Sequence, residues 1–195
     1  MKRLLLLAIV LGSASVVLGQ TSKTEAGECQ LTLAQAPAIR GIRLGMTMDQ
    51  ALGVFPGAAD DQEIQAELSR RYFGFQRTSL VPGKLGSKEK FIGVKSVDLG
   101  FMDGPLNFFA LNYDGPEWQS DSQFASKVAE ALSLPGVDSW KSRDGGQVLS
   151  CQGFEVKATA SSPRIEIRNT QIDVNKLVRS RAEEPKEQAR RAFKP

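Results

Sequence analysis

"FIGVKSVDLGFMDGPLNFFALNYDG", residues 91–115, decides the class of fold. From Val94 the chain alternates, with Val94, Ser96, Asp98 and Gly100 on one side and Lys95, Val97, Leu99 and Phe101 on the other. A period of two is the spacing of a strand, whose successive side chains point to opposite faces. Asp103-Gly104 is a turn pair that tolerates the positive φ of a tight hairpin. The return strand runs from Leu106 to Tyr113 and stops at the turn signal that begins with Asp114-Gly115. This stretch therefore predicts two antiparallel strands.

Upstream lies "GIRLGMTMDQALGVFPG", residues 41–57. "IRGIRLGM" alternates as a short strand or extended lead-in. Thr47 and Gln50 then form the T-x-x-Q version of a capping box, each side chain reaching the other residue's backbone amide. Met48, Ala51, Leu52 and Phe55 follow at helical spacing, and Pro56-Gly57 ends the short helix. A second helical pattern, with Ile64 and Leu68 on one face, covers "ADDQEIQAELSRR".

Downstream, Ser120 or Asp121 caps a helix with Phe124, Val128, Ala131 and Leu132 as its apolar stripe. Strands are expected at Asp138 to Lys141, Gln147 to Cys151, Phe154 to Ala160 and in "RIEIRNT". From about Thr170 to Glu184 the pattern is helical, and Pro185 is expected to break or kink it. The order is αβββ-like twice over. It predicts an α+β fold: an antiparallel sheet with helices packed on one face, two fused αβββ-like halves, and a C-terminal helix.

Of the 195 residues 41% are hydrophobic and 24% charged, ordinary for a folded domain that can bury a sizeable core. Lys2 and Arg3 precede an apolar run from Leu4 to Leu18, the form of a signal peptide with cleavage after Gly19. The alternative is a retained N-terminal anchor. Setting Lys2 and Arg3 aside takes the 25 basic residues to 23, against 22 acidic ones. Such a balance lacks the dense basic patch that nucleic acid demands. Cys29 and Cys151 are the only cysteines. In an oxidising compartment they read as one disulfide, stabilising by about 4 kcal/mol in the chain-entropy model. Two free buried thiols are the other reading.

The chain has no histidine, which removes the commonest general base and transition-metal ligand. No Ser-His-Asp or Cys-His system can be assembled, and two cysteines with carboxylates make a poor zinc site. Ser87 to Lys90 matches S-x-x-K, but an apparent strand follows it, its companion motifs are missing, and it reads as a solvated loop. Gly41, Gly45, Gly53 and Gly57 lack phosphate-loop spacing. These patterns predict no catalytic residues, no metal and no cofactor. Tyr113, Trp118 and Trp140 are candidates for a surface that grips another protein; the competing reading is that such aromatics build the core.

At "LGMTMDQALGVFPG" the chain resembles a superfamily of small exported bacterial proteins with a G-M-T-x-x-Q helix start. That group includes the small lipoprotein of the outer-membrane assembly machinery and the β-lactamase inhibitor protein. The match rests on Gly45, Met46, Thr47, Gln50 and, loosely, Gly57. The chain also resembles uncharacterised exported bacterial proteins with "RGxRLGMT", "YNGPEW", "LxLP…W", "C-x-GFE" and a terminal "FKP". Here these are Arg40 to Thr47, Tyr113 to Trp118 with Asp114 for the Asn, Leu132 to Trp140, Cys151 to Glu155, and Phe193 to Pro195. The resemblance implies a helical pair on an antiparallel sheet, duplicated in the inhibitor. The lipidated Cys of the assembly lipoprotein is missing, and the inhibitor's enzyme-contacting loops find no match.

The expected organisation is a signal peptide (1–19), a flexible N-terminal segment (20–38), an α+β domain (39–169, halves 39–115 and 116–169) and a charged helical tail (170–195). The expected function is an exported, non-enzymatic protein-binding or scaffold module of the bacterial envelope. Its partner would be another envelope or secreted protein, with no nucleic acid and no integral membrane segment in the mature chain. The alternatives are an inhibitor of a secreted or periplasmic hydrolase, and an enzyme of unfamiliar design.

Overall fold

The computed structural model describes residues 28–115 and 118–192. The signal peptide expected over residues 1–19 and the Phe193 to Pro195 motif lie outside them. Seven strands form a single antiparallel sheet. They are β1 (Phe75–Leu80), β2 (Val94–Met102), β3 (Leu106–Tyr113), β4 (Lys141–Arg143), β5 (Gly146–Ser150), β6 (Phe154–Thr159) and β7 (Arg164–Asn169). Their spatial order is β1-β2-β3-β7-β6-β5-β4. The last strand of each half, β3 and β7, meet at the centre, so β5-β6-β7 repeats the arrangement β1-β2-β3 from the other side. Strand β4 is a short, exposed addition at one edge.

The helices are α1 (Met48–Leu52), α2 (Gln62–Ser69), α3 (Asp121–Ala131) and α4 (Val174–Ala192). The first three bury Ala51, Leu52, Ile64, Leu68, Phe124 and Val128 in the same cluster as Leu99, Phe109, Ile167, Val156 and Leu149. Those five sheet residues form one row, paired in register from β2 across to β5. Thr78 of β1 extends the row; it is buried, and its hydroxyl donates to Glu67 Oε2 of α2 at 2.6 Å. Helix α2 is thereby tied to the edge of the sheet.

The opening of α1 is built as its sequence implies. Thr47 Oγ1 accepts from the Gln50 amide at 3.2 Å, and Gln50 Oε1 accepts from the Thr47 amide at 3.0 Å. The preceding Gly45 (φ 79°) and Met46 dock on β3, through Gly45 N–H to Leu106 O at 2.9 Å and Leu106 N–H to Met46 O at 2.7 Å. Ser120 caps α3 by accepting from the Gln123 amide, while Asp121 accepts from the Ala160 amide and pins α3 to the end of β6.

Four expectations are corrected. A bulge at Lys95 interrupts the alternation of β2, so Val94 joins the core instead of sharing the side of Ser96 and Asp98. The strand expected at Asp138 to Lys141 is instead mostly a 3₁₀ turn, Val137–Ser139, and β4 begins only at Lys141. The N-terminal segment expected to be flexible is tied down from Cys29, which bonds Cys151 across 122 residues. The Gln152 amide also donates to Leu31 O at 2.9 Å. Finally, α4 continues through Pro185 to Ala192. The helix there is mostly solvent-exposed, so water can satisfy the carbonyl that loses its amide donor.

Candidate functional site

The sheet has two unlike faces. Only Met102, Ala110 and Val148, among the buried apolar residues described, fall outside the core cluster, and all three lie on the face away from α1, α2 and α3. Apart from the half-buried Phe75 and Phe108, the rest of that open face is largely polar. One row across it reads Ser79, Asp98, Ala110, Glu166, Lys157, Val148 and Lys141. A parallel row reads Arg77, Gly100, Phe108, Arg168, Glu155 and Ser150.

These side chains hold one another in place. Arg164 Nη1 donates to Asp98 Oδ2 at 2.6 Å and to Asn112 Oδ1 at 2.7 Å, while its Nη2 reaches Glu166 Oε2 at 3.2 Å. Asn112 in turn donates to Ser96 Oγ at 3.0 Å. Arg168 pairs with Glu166 on the outer side. Towards β4, Arg143 donates to Glu155 Oε2 at 2.7 Å, Ser150 donates to Glu155 Oε1 at 2.8 Å, and Lys157 donates to the Asp144 carbonyl at 2.7 Å. Burial alone would raise the Asp98 carboxyl; the hydrogen bonds from Arg164, Ser79 and Asn112 and the Arg164 charge outweigh it and hold Asp98 below the usual range. Glu155 follows the same pattern, with burial overcome by Arg143 and Ser150. Asp98 and Glu155 are thus held as ionised acceptors in a fixed lattice.

Helix α4 crosses the open face at the end bearing the β2–β3 turn. Arg181 clamps it there, bidentate to Asp103 at 2.9 and 2.7 Å and donating also to the Phe73 carbonyl at 2.9 Å. The clamp requires Gly74: at φ 92° it leaves room that a Cβ would take from Arg181 and Asp103, at 2.3 and 2.4 Å. The Arg181 hydrogen bonds lower the pKa of Asp103. Between α4 and the sheet lies a cavity of about 660 Å³. On its floor Phe108 and Phe75 stack with centroids 6.3 Å apart. The Phe108 ring lies over Gly100, where an added Cβ would come within 2.0 Å of it.

Of the three aromatic candidates, two come together. Tyr113 and Trp118 line an apolar groove of about 350 Å³ against α3. Trp118 tilts on Phe124 with centroids 5.2 Å apart. Burial raises the Tyr113 phenol, with the Arg40 charge opposing. Trp140 does not join them. It is buried, at 6% exposure, in the core, and its indole donates to the Pro135 carbonyl at 3.0 Å. Ser87, read as part of a solvated loop, is buried and donates to Leu85 O at 3.3 Å. Phe91 draws this loop inward by stacking on Phe55, and no hydrogen bond joins Ser87 to Lys90.

Sequence reading missed the cavity. Its floor comes from β1 and β3 and its roof from the tail, and no local pattern announces that those segments meet. The nearest signal was the narrow apolar side of the tail, including Val174 and Val178, which needed something to cover. Among the described residues no helix is long and apolar enough to cross a membrane, and no three His, Cys, Asp or Glu side chains group closely enough to hold a metal ion.

Fold and site together define an α+β protein with a disulfide-pinned start, a packed face and an ordered polar face partly roofed by a helix. No protein-family model, curated protein or solved structure matches the chain.

Proposed function

We propose that this is an exported, non-enzymatic binding or scaffold module of the bacterial envelope that grips another envelope or secreted protein through the open face of its sheet. The observation that carries the reading is the lattice on that face. Arg164, Asp98, Glu166, Glu155 and Arg143 are fixed by one another before any partner arrives. Charges already held in place give register and specificity at little ordering cost. The groove at Tyr113 and Trp118 offers a separate apolar contact on the α3 side, at the sheet's end. Export is supported by the signal-like leader together with the disulfide, which belongs to oxidising compartments.

The test is affinity capture from envelope extract with the native protein and with a double variant, Lys141→Glu with Lys157→Glu. Both lysines sit in the open row, so the variant reverses the charge of that region while leaving the core intact. The native protein is expected to retain a specific partner that the variant loses. Retention of the same proteins by both, or of none by either, would remove the reading.

A further inference from the structure

Helix α4 is attached differently from the other three. The core cluster takes residues from α1, α2 and α3, and no described residue of α4 joins it. The cavity of about 660 Å³ lies between α4 and the sheet in place of a packed contact. Among the described residues of the helix, Arg181 alone hydrogen-bonds beyond the helix and its lead-in. The side chains of Arg181 and Asp103 stay 37% and 44% exposed. Ion pairs so exposed stabilise little and are screened by salt. Arg71 stands 3.5 Å from the same carboxylate, so Asp103 keeps a cation when Arg181 leaves.

Beneath α4, Phe75 and Phe108 stack half-buried, and Tyr72, which lines the same cavity, is 60% exposed. Aromatic rings of this kind anchor protein interfaces. The helix is also a poor electrostatic match for what it covers. Val174–Ala192 carries six Lys or Arg and three Glu. The row that holds Phe108 has Arg77 on one side of it and Arg168 on the other. Arg77 is exposed and makes no ion pair among the described residues, and neither do Lys157 and Lys141 in the next row. The carboxylates of the face, Asp98, Glu155 and Glu166, are each already paired with an arginine. A cationic helix thus covers a face whose unmatched charges are cationic.

We infer that α4 is a displaceable strap over a docking site, and that the site takes an acidic amphipathic segment of the partner protein. The segment's apolar residues meet Phe75 and Phe108, and its carboxylates meet Arg77 and Arg168. The inference rests on the open face being a protein-binding surface, and adds how that surface is gated and what the partner presents there. The acidic segment finds cations that α4 cannot use, and it binds only when the strap is away. It therefore shifts the strap towards the open state by its affinity for that state. Loosening the Arg181–Asp103 clamp lowers the cost of opening and strengthens the binding.

Two variants of the full chain open the clamp from opposite sides. One is Arg181→Ala. The other is Asp103→Asn, which keeps a residue that tolerates φ 54° in the turn. Hydrogen exchange is expected to quicken in the α4 amides of both and to stay unchanged in β2 and β3. The binding probe is a fluorescent peptide of residues 172–192 with every Lys and Arg replaced by Gln, which keeps the apolar side and leaves only acidic charges. Its comparator is the native 172–192 sequence. By anisotropy the acidic peptide should bind Asp103→Asn about tenfold more tightly than it binds the native protein, and more tightly than the comparator does. Adding Arg77→Ala should weaken it about threefold or more. The inference fails if α4 exchange is the same in native and variant proteins, or if the acidic peptide binds all of them alike or none at about 1 mM. Tighter binding of the native-sequence peptide would make the occupant the α4 of a second copy and overturn the acidic partner. A captured envelope protein that is lost on changing Lys141 and Lys157, yet held equally by the native protein and Asp103→Asn, would remove the strap and keep the sheet-face reading. Failure of capture with the peptide behaving as expected would do the reverse.

Discussion

The same seven strands present two surfaces that differ by a shift of one residue. Thr78, Leu99, Phe109, Ile167, Val156 and Leu149 run across the closed face, and every sheet residue of that row is buried. One position along each strand, Ser79, Asp98, Ala110, Glu166, Lys157 and Val148 run across the open face. The backbone hydrogen bonds are shared, so the difference lies in the side chains alone. The closed row derives its stability from area removed from water and from close packing. The open row relies on charge-assisted hydrogen bonds that hold geometry more than they add stability.

Mutating equivalent positions in the two rows is the sharpest way to break this comparison. Phe109 is fully buried at the centre of the closed face. Phe109→Ala is expected to lower unfolding free energy by about 3–5 kcal/mol, from lost transfer energy plus a cavity. Lys157→Ala, in the open row on β6, two strands away, should change it by no more than about 0.5 kcal/mol. Urea denaturation of the two variants decides. Similar losses would mean that the open face also carries the fold.

Arg164 is the intermediate case, because its partner Asp98 has a side chain only 9% exposed. Arg164→Ala leaves that carboxylate buried without its cation and should cost about 1–3 kcal/mol at neutral pH. Since Asp98 has its pKa lowered in the folded protein, its contribution is complete above the unfolded value, about 3.9, and is lost as pH falls through the lower folded value. The variant lacks that source of acid sensitivity, so the gap between it and the native protein should narrow as pH drops below about 4. A gap that stays constant from neutral pH to about 3 would show that Arg164 acts by packing, not by its charge.

Much of the closed face was legible in the sequence. Strands β2, β3, β6 and β7 announce themselves by alternation, and α1 and α3 by their caps, because those signals are local. The open face was half legible. "RIEIRN" shows Arg164, Glu166 and Arg168 on one side, but their partners Asp98 and Asn112 lie on other strands and were identified only by the register. Trp140 and Ser87 were misplaced for one reason. Each sits in a loop of ordinary polarity that turns into the core, the indole held by the Pro135 carbonyl five residues earlier and the serine loop by Phe91 stacked on the distant Phe55. Pro185 was overvalued as a breaker, since the cost of proline falls where the neighbouring carbonyl reaches water.

The smallest effect concerns two sites with the same T-x-x-Q signature. At Thr47 and Gln50 the side chains satisfy each other's backbone amides at the start of α1, whose Ala51 and Leu52 are buried under the closed face. At Thr32 and Gln35 the Gln35 Oε1 accepts from the Thr32 amide at 2.9 Å and from its hydroxyl at 3.1 Å, closing a single exposed 3₁₀ turn. Thr47→Ala should cost about 1 kcal/mol, as a lost cap does, and Thr47→Ser should restore most of it. Thr32→Ala removes a contact that no buried helix depends on and should cost less than about 0.5 kcal/mol. Thermal melts of the three variants separate the outcomes. Equal losses at Thr32 and Thr47 would show that the signature stabilises wherever it occurs; unequal losses would show that its effect comes from the core the helix start carries.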